Sequence, residues 1–282
     1  MAFPPLPQPA RTRIAPTPSG LLHPGNGAAF VLTWKLARRA GGTILLRIDD
    51  LDAERARPAY VEDIFRTIEW LGIDWDEGPT GPSDLEARWS QQQRIDRYLE
   101  AVERLRSSGR LYACTCSRTE LPRCTCRTAG RPLDAVGVSW RLDLLTAPAV
   151  PMRRWPGAGV ALEPARLMPQ DPVIRQRNGR PAYQVASLVD DLDHRIDLVV
   201  RGEDLLPSTA CQLYMAGLLN EPRFGQATFV HHGLLTDEQG AKLSKSQGAG
   251  ALQAMRQQGV GPERIHALAD RLLEELLAGD QA

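Results

Sequence analysis

Between Thr12 and Asp49 the chain reads strand, turn, helix, strand within about 40 residues, an order that few folds accommodate. Thr12–Ala15 is a short strand candidate, and Pro16–Gly25 is a Pro/Gly-rich turn. The run NGAAFVLTWKLARRA has a helical pattern and stops at Gly41-Gly42, a glycine C-cap signal. TILLRID follows as a buried strand. Two strands joined through a helix pair in parallel, and such sheets bind ligands at the carboxyl ends of their strands. The expected fold class is therefore α/β with a parallel sheet.

The same punctuation recurs downstream. Pro58 and Gly72 frame a helix with Ile64, Ile68 and Leu71 at helical spacing. From Leu111 to Pro132 a Cys- and Arg-rich segment has neither helical nor strand period and reads as an inserted module. Regular patterning returns at SWRLDL, and DLVVRG forms a strand ending in Gly202, followed by a helix over Ser208–Leu219. The stretch Pro262–Leu277 is an amphipathic helix with Ile265, Leu268, Leu272, Leu273 and Leu276 on its apolar face. Met1–Ala10 carries four prolines and is expected to be a disordered leader.

At 282 residues the chain has room for one large or two modest domains. The expected divisions are the leader, residues 1–10; the first half of the main domain, 11–110; the Cys-rich module, 111–135; the second half, 136–235; and a loop with a terminal helix, 236–282. No run approaches the roughly 18 apolar residues of a membrane span. With no secretory signal pattern, the five cysteines suggest a reducing compartment, so the expectation is a cytoplasmic protein with no membrane partner.

Lys plus Arg and Asp plus Glu each number 34, which excludes a uniformly basic coat for nucleic acid. The balance conceals two segments of opposite sign. Arg104–Arg141 holds eight arginines against Glu120 and Asp134, whereas Asp49–Glu77 holds ten acids against Arg55, Arg57 and Arg66. A polyanion must therefore be met locally.

Two motifs carry candidate chemistry. In RIAPTPSGLLHPGN a basic residue at a strand end, Arg13, is followed by His23, Gly25 and Asn26 where a helix begins. A helix N-terminus attracts phosphate through free N–H groups and its dipole, and Gly25 would let a ligand approach the backbone; a purely structural turn is the alternative. The second motif is Lys242-Leu243-Ser244-Lys245-Ser246. The sequence has only three lysines, Lys35, Lys242 and Lys245, so two of them fall in one five-residue loop. A compact ammonium on a flexible stem can follow a moving phosphate; a solvated loop is the bland alternative.

LLHPGN and KLSKS, in this order, resemble the two signature motifs of class I aminoacyl-tRNA synthetases, and RIAPTPSGLLHPGN, LLRIDDLD, AYQVASLVDD and LVVRGEDLL resemble the glutamyl branch. The resemblance spans about Arg11 to Gly248. It implies a Rossmann-like catalytic domain that adenylates glutamate with ATP. By that resemblance Arg13 and Tyr183 recognise the side-chain carboxylate of L-glutamate, and Arg201 makes another carboxylate contact. Ala15, Thr17 and Asp49 surround the α-ammonium, with Asp49 one methylene shorter than the glutamate usual there. Ser187 stands where discriminating members carry asparagine. His23, Gly25, Asn26, Lys242 and Lys245 would hold ATP and stabilise charge on its phosphates, with Mg2+ expected beside them.

Cys114, Cys116, Cys124 and Cys126 form C-x-C-x7-C-x-C, four soft ligands suited to one structural, tetrahedral Zn2+ that staples a loop too small to own a core. Free thiols are the alternative. The short glutamyl members carry tyrosine at the position of Cys124. Cys211 reads as a core thiol, and Trp34, Trp70, Trp75 and Trp89 as core aromatics. His231 and His232 read as positioning or structural residues, and Asp190, Asp191 and Asp193 as a strand-end turn.

Only 36 residues follow Ser246, too few for the helical anticodon-binding domain of full-length glutamyl enzymes, so none is expected. The shortened members with a Cys-rich insertion attach glutamate to the queuosine base in the anticodon loop of tRNA(Asp). The expected partners are then the tRNA(Asp) anticodon stem-loop, L-glutamate and ATP, with a monomeric protein and the stem-loop lying along the basic segment. Charging of a tRNA 3′ end, adenylation of another carboxylic acid, and a non-catalytic zinc-stabilised RNA-binding role are the alternatives.

Overall fold

The computed structural model describes residues 4–234 and 251–279. Strands β1 (Arg11–Ile14) and β2 (Thr43–Leu46) pair in parallel, joined through helix α1 (Pro24–Arg39), as the sequence pattern requires. Helix α1 ends where expected, with Gly41 at φ +61°. Helix α2 (Pro58–Leu71) starts on its proline and stops at Gly72, whose φ of 65° suits glycine; it buries Ile64, Ile68 and Leu71. Helix α3 (Ile95–Ser107) leads into β3 (Leu111–Cys114), which pairs antiparallel with β4 (Ser139–Leu142). Two antiparallel strands, β5 (Val150–Arg154) and β6 (Val160–Leu162), precede β7 (Val173–Arg175), which completes a three-stranded sheet in the order β3-β4-β7.

Helix α4 (Tyr183–Asp193), β8 (Leu198–Gly202), helix α5 (Leu206–Leu218) and β9 (Thr228–His232) return the chain to the main sheet. There β8 pairs in parallel with β9 and β9 with β5, while β6 joins the far side of β5 antiparallel. Strand β1 lies beside β8: Asp197 N–H donates to the Arg11 carbonyl at 2.9 Å, and Thr12 Oγ1 donates to the Leu198 carbonyl at 2.7 Å. The carboxyl ends of β1, β2, β8 and β9 thus gather along one edge. Helices α6 (Leu252–Gln257) and α7 (Glu263–Gly279) close the structure. Gly27 makes the α1–α7 contact possible, since a Cβ there would meet Ile265 Cγ2 and Leu252 Cδ1 at 3.0 Å. Ile265, Leu268 and Leu272 are buried against α1 and its sheet, as their spacing predicts.

Four expectations are corrected. Residues 4–10 are not a detached leader: Leu6 and Ala10 are buried, and the Pro4 carbonyl accepts from Trp155 Nε1 at 3.3 Å. Prolines block a hydrogen-bond ladder, but they do not prevent docking through apolar side chains and carbonyls. The Cys-rich segment opens with β3, a four-residue strand too short to give a readable period. Asp190, Asp191 and Asp193 lie within α4 rather than in a strand-end turn. Trp34, Trp70, Trp75 and Trp89 are half-buried at the edge of the core, whose buried tryptophans are Trp140 and Trp155. Cys211 is fully buried, as expected. Among the described residues, no helix is long and apolar enough to cross a membrane.

Candidate active site

At the carboxyl ends of these strands lies a cleft of about 280 Å³. Its lining includes Arg13, Ala15, His23, Gly25, Asn26, Asp49, Tyr183 and Arg201, brought together from four separate sequence motifs. Thr17 is exposed and does not line it. Lys242 and Lys245 lie outside the described residues.

His23 is the N-cap of α1. Its Nδ1 accepts from Gly25 N–H at 3.1 Å, while Asn26 Oδ1 accepts from His23 N–H at 3.1 Å. This reciprocal cap modifies the expectation of free helix-end donors. Gly25 N–H is used by the imidazole, and the N–H groups of Asn26 and Gly27 both donate to the His23 carbonyl. The space that Gly25 leaves is filled by the same ring, since a Cβ there would stand 2.9 Å from His23 Cε1. With Nδ1 accepting, the neutral imidazole carries its proton on Nε2. The α1 terminus therefore offers a phosphate its dipole and the His23 and Asn26 side chains, rather than bare backbone donors.

The floor of the cleft is a buried charge cluster. Asp191 Oδ1 accepts from Arg13 Nε at 3.0 Å and from Arg47 Nη1 at 2.8 Å, and Asp191 Oδ2 lies 3.8 Å from Arg201 Nη2. Arg47 also clamps Asp49, through Nε–Oδ1 at 2.6 Å and Nη2–Oδ2 at 3.1 Å. Asp190 Oδ2 also lies 3.9 Å from Arg47 Nε, but Asp190 is held chiefly by Arg94 Nε at 2.8 Å, and it accepts from Tyr98 OH at 2.8 Å and Gln91 Nε2 at 2.9 Å. With Arg94 counted, four guanidiniums face three carboxylates, Asp49, Asp190 and Asp191, an arrangement completed by one further anion.

The titration behaviour follows from the geometry. Burial pushes Asp191 upward, but Arg13, Arg47 and Arg201 outweigh it and hold the carboxyl below its ordinary range. For Asp49 burial prevails over the attraction of Arg47, and its pKa is raised. Burial lowers Arg201, the guanidinium with the most distant counter-ion of the three. Arg201 Nη1 instead donates to Gln212 Oε1 at 3.0 Å and Thr209 Oγ1 at 3.3 Å.

Arg47 and Asp191 are the residues that sequence reading missed. A signal for Arg47 existed: Arg47 and Asp49 are two apart in an extended segment and so share a side. Tyr183, Ser187 and Asp191 follow one another at four-residue spacing, which stacks them on one face of α4. His232, opposite α1, also lines the cleft, with Nδ1 2.9 Å from the Gly233 carbonyl oxygen.

The four cysteines converge about the loop after β3. Cys114 Sγ and Cys124 Sγ are 3.7 Å apart, as are Cys116 Sγ and Cys126 Sγ, and all four sulfurs lie within 4.8 Å of one another. A tetrahedron with Zn–S bonds of about 2.3 Å has edges of about 3.8 Å, so the donor set and its spacing fit one zinc ion. None of the four is in a disulfide. The carbonyl of Cys116 accepts from Arg177 Nη2 at 2.9 Å, and that of Cys114 from Ser139 Oγ at 3.1 Å, fixing the loop against its sheet.

Comparison with known proteins places these features in one context. The sequence matches the family described as "tRNA synthetases class I (E and Q), catalytic domain" over residues 9–132 and 159–273. It is 36% identical to a glutamyl-Q tRNA(Asp) synthetase of Nitratidesulfovibrio vulgaris, over 90% of this chain and 83% of that protein. It is also 36% identical to a glutamate–tRNA ligase 2 of a Ruegeria species, over 93% of this chain but only 60% of that protein. Among solved structures, glutamate-tRNA synthetase from Elizabethkingia anophelis superposes with a TM-score of 0.68 at 24% identity, covering 84% of this chain and 53% of the other, which supports the fold.

Proposed function

Since the chain belongs to the catalytic-domain family of class I glutamyl and glutaminyl tRNA synthetases, we propose that it activates L-glutamate with ATP and transfers the glutamyl group to the queuosine base in the anticodon loop of tRNA(Asp). The observation that carries the first half is the cluster of Arg13, Arg47 and Arg201 around Asp191, which leaves one positive charge for a substrate carboxylate. Arg13 and Arg201 are the ligands for the side-chain carboxylate, with Tyr183 beside them at the start of α4. Asp49 and Ala15 face the α-ammonium. Arg47 is a positioning residue that holds Asp49 and Asp191 in register.

In the first step an α-carboxylate oxygen of glutamate attacks the α-phosphorus of ATP, and the bond to the pyrophosphate oxygen breaks. The dipole of α1, the His23 Nε2–H and the Asn26 amide stabilise negative charge on the phosphates. Lys242 and Lys245 belong to the same assignment. Mg2+ bound with ATP would neutralise further phosphate charge. In the second step a hydroxyl of the queuosine cyclopentenediol attacks the acyl carbon, the anhydride bond breaks, and AMP leaves.

Relatives named for the queuosine reaction support the choice of acceptor, at 36% and 37% identity over 83% of their length. Charging of a tRNA 3′ end is the second reading, favoured by the equal identity to a glutamate–tRNA ligase. The four thiolates hold a structural Zn2+ whose loop presents positive charge to RNA. Of the eight arginines between 104 and 141, Arg104 pairs with Glu221, Arg106 with Asp134 and Arg127 with Asp143 and Asp171, Arg141 is buried, and Arg110, exposed, donates from Nη1 to Thr146 Oγ1 at 2.8 Å. Arg118, Arg123 and Arg131 are exposed and form the proposed contact to the stem-loop. Amino-acid-dependent exchange of pyrophosphate into ATP tests the activation step. Exchange supported by glutamate, and far less by glutamine or aspartate, is expected; exchange without glutamate dependence would contradict it.

A further inference from the structure

His231 lies on β9 next to His232, yet it does not line the cleft. Its ring stacks on Phe229, with centroids 6.3 Å apart and planes 13° from parallel, and its Nε2 lies 2.9 Å from Thr209 Oγ1. The same hydroxyl lies 3.3 Å from Arg201 Nη1 and 3.3 Å from the Leu205 carbonyl. Arg201 can only donate, so Thr209 Oγ1 accepts from it. The one Thr209 hydroxyl proton has two acceptors in reach, the Leu205 carbonyl and His231 Nε2, and the tautomer of His231 decides between them. A proton on Nδ1 would be a buried N–H with no acceptor among the described residues, which favours Nε2–H; His231 then donates to Thr209 Oγ1 and the hydroxyl proton points to Leu205.

From this chain we infer that His231 is a positioning residue for substrate glutamate, acting through Thr209 to fix the Arg201 guanidinium. The inference rests on the reading of Arg201 as a carboxylate ligand. The side chain of Arg201 has its nearest carboxylate at 3.8 Å, and its two closer partners are neutral oxygens of α5 residues, Thr209 and Gln212. A guanidinium held mainly by neutral acceptors keeps its charge for an incoming anion but depends on those acceptors for orientation. His231 supplies the second donor that holds the Thr209 lone pairs in place. Burial, with the neighbouring charges of Arg201 and His232, lowers its pKa to about 3, so the ring remains a neutral donor at physiological pH.

The test uses steady-state pyrophosphate exchange on the full chain. His231→Phe keeps the stacking on Phe229 and removes the donor; Thr209→Val removes the shared hydroxyl; His231→Gln restores an N–H near the lost Nε2. The first two variants are expected to raise KM for glutamate about five- to tenfold, the effect of one lost hydrogen bond, with KM for ATP and kcat within about twofold. The double variant should be no worse than either single one, and His231→Gln should recover most of the loss. Thr209→Val breaks the relay at its middle, removing both the His231 and the Arg201 contacts of Oγ1 without altering His231, so it reports on the relay independently of the folding of His231→Phe. Parallel rises in both KM values, a fall in kcat alone, or independent additive effects would overturn the inference. Arg201→Lys distinguishes the two levels: if it raises KM for glutamate and His231→Phe does not, the relay fails alone; if Arg201→Lys leaves that KM unchanged, the glutamate site fails and the relay with it.

Discussion

Asp191 is the residue on which the candidate active site turns, because three guanidiniums from β1, the end of β2 and β8 approach one carboxylate on α4. Arg13, His23, Tyr183 and Arg201 were legible because each stands in a compact motif with a recognisable neighbour. Asp191 was not: its partner Arg13 is 178 positions away, and no local pattern marks a contact across that distance. The helix-end reading needed revision for a related reason, since the use of Gly25 N–H by the His23 ring depends on a rotamer rather than on sequence spacing. Acidification tests the buried residues directly. His194, His231 and His232 all have pKa values lowered chiefly by burial. A histidine with a depressed folded-state pKa contributes stability that is complete above its ordinary value near 6.5 and is lost as pH falls toward the folded value. For His231, with a folded pKa of about 3, lowering the pH from 7.5 to 5 should remove about 1–2 kcal/mol. Asp49, with its raised pKa, acts in the opposite direction at lower pH. Denaturant unfolding at the two pH values checks this: His231→Gln should lose less stability than the unsubstituted protein, and equal losses would contradict the assignment.

At the level of elements, the ends of α1 and α2 were readable because proline, glycine and a capping residue punctuate them by fixed backbone rules. Strand β3 was hidden by its length, four residues running directly into the cysteine segment. That segment lies apart from the cleft, so its role can be tested separately from the cleft's. The cysteines lie at the β3-β4-β7 sheet, whereas the cleft is built from the ends of β1, β2, β8 and β9. Purified protein is expected to carry about one zinc per chain. Removal by a strong chelator should lower glutamyl transfer to tRNA by about tenfold or more, and leave glutamate-dependent pyrophosphate exchange within about twofold. Atomic absorption and the two assays on the same sample measure this. Equal loss of both activities would place the metal in the catalytic fold instead.

Taken as a whole molecule, the described residues bury two apolar clusters on opposite faces of the parallel sheet, Leu45, Val199 and Phe229 entering one and Ile44, Leu46, Leu198, Val200 and Val230 the other. The βαβ order made the second of these predictable, and the burial of Leu6 and Ala10 shows that the chain before β1 also belongs to it. Zero net charge said little about RNA until pairing was known. Internal acids neutralise Arg104, Arg106 and Arg127, so the basic surface of this segment reduces to Arg118, Arg123 and Arg131 near the cysteine loop, with Arg110 just before β3. A surface this small suits a local contact, which the proposed anticodon stem-loop acceptor would require. The most direct measurement is base-resolved mapping of radiolabelled glutamate after incubation with ATP and tRNA(Asp), with and without queuosine. The account predicts label on the queuosine base of the modified tRNA and none on the unmodified one. Label at the 3′ end, or equal labelling of both tRNAs, would contradict it.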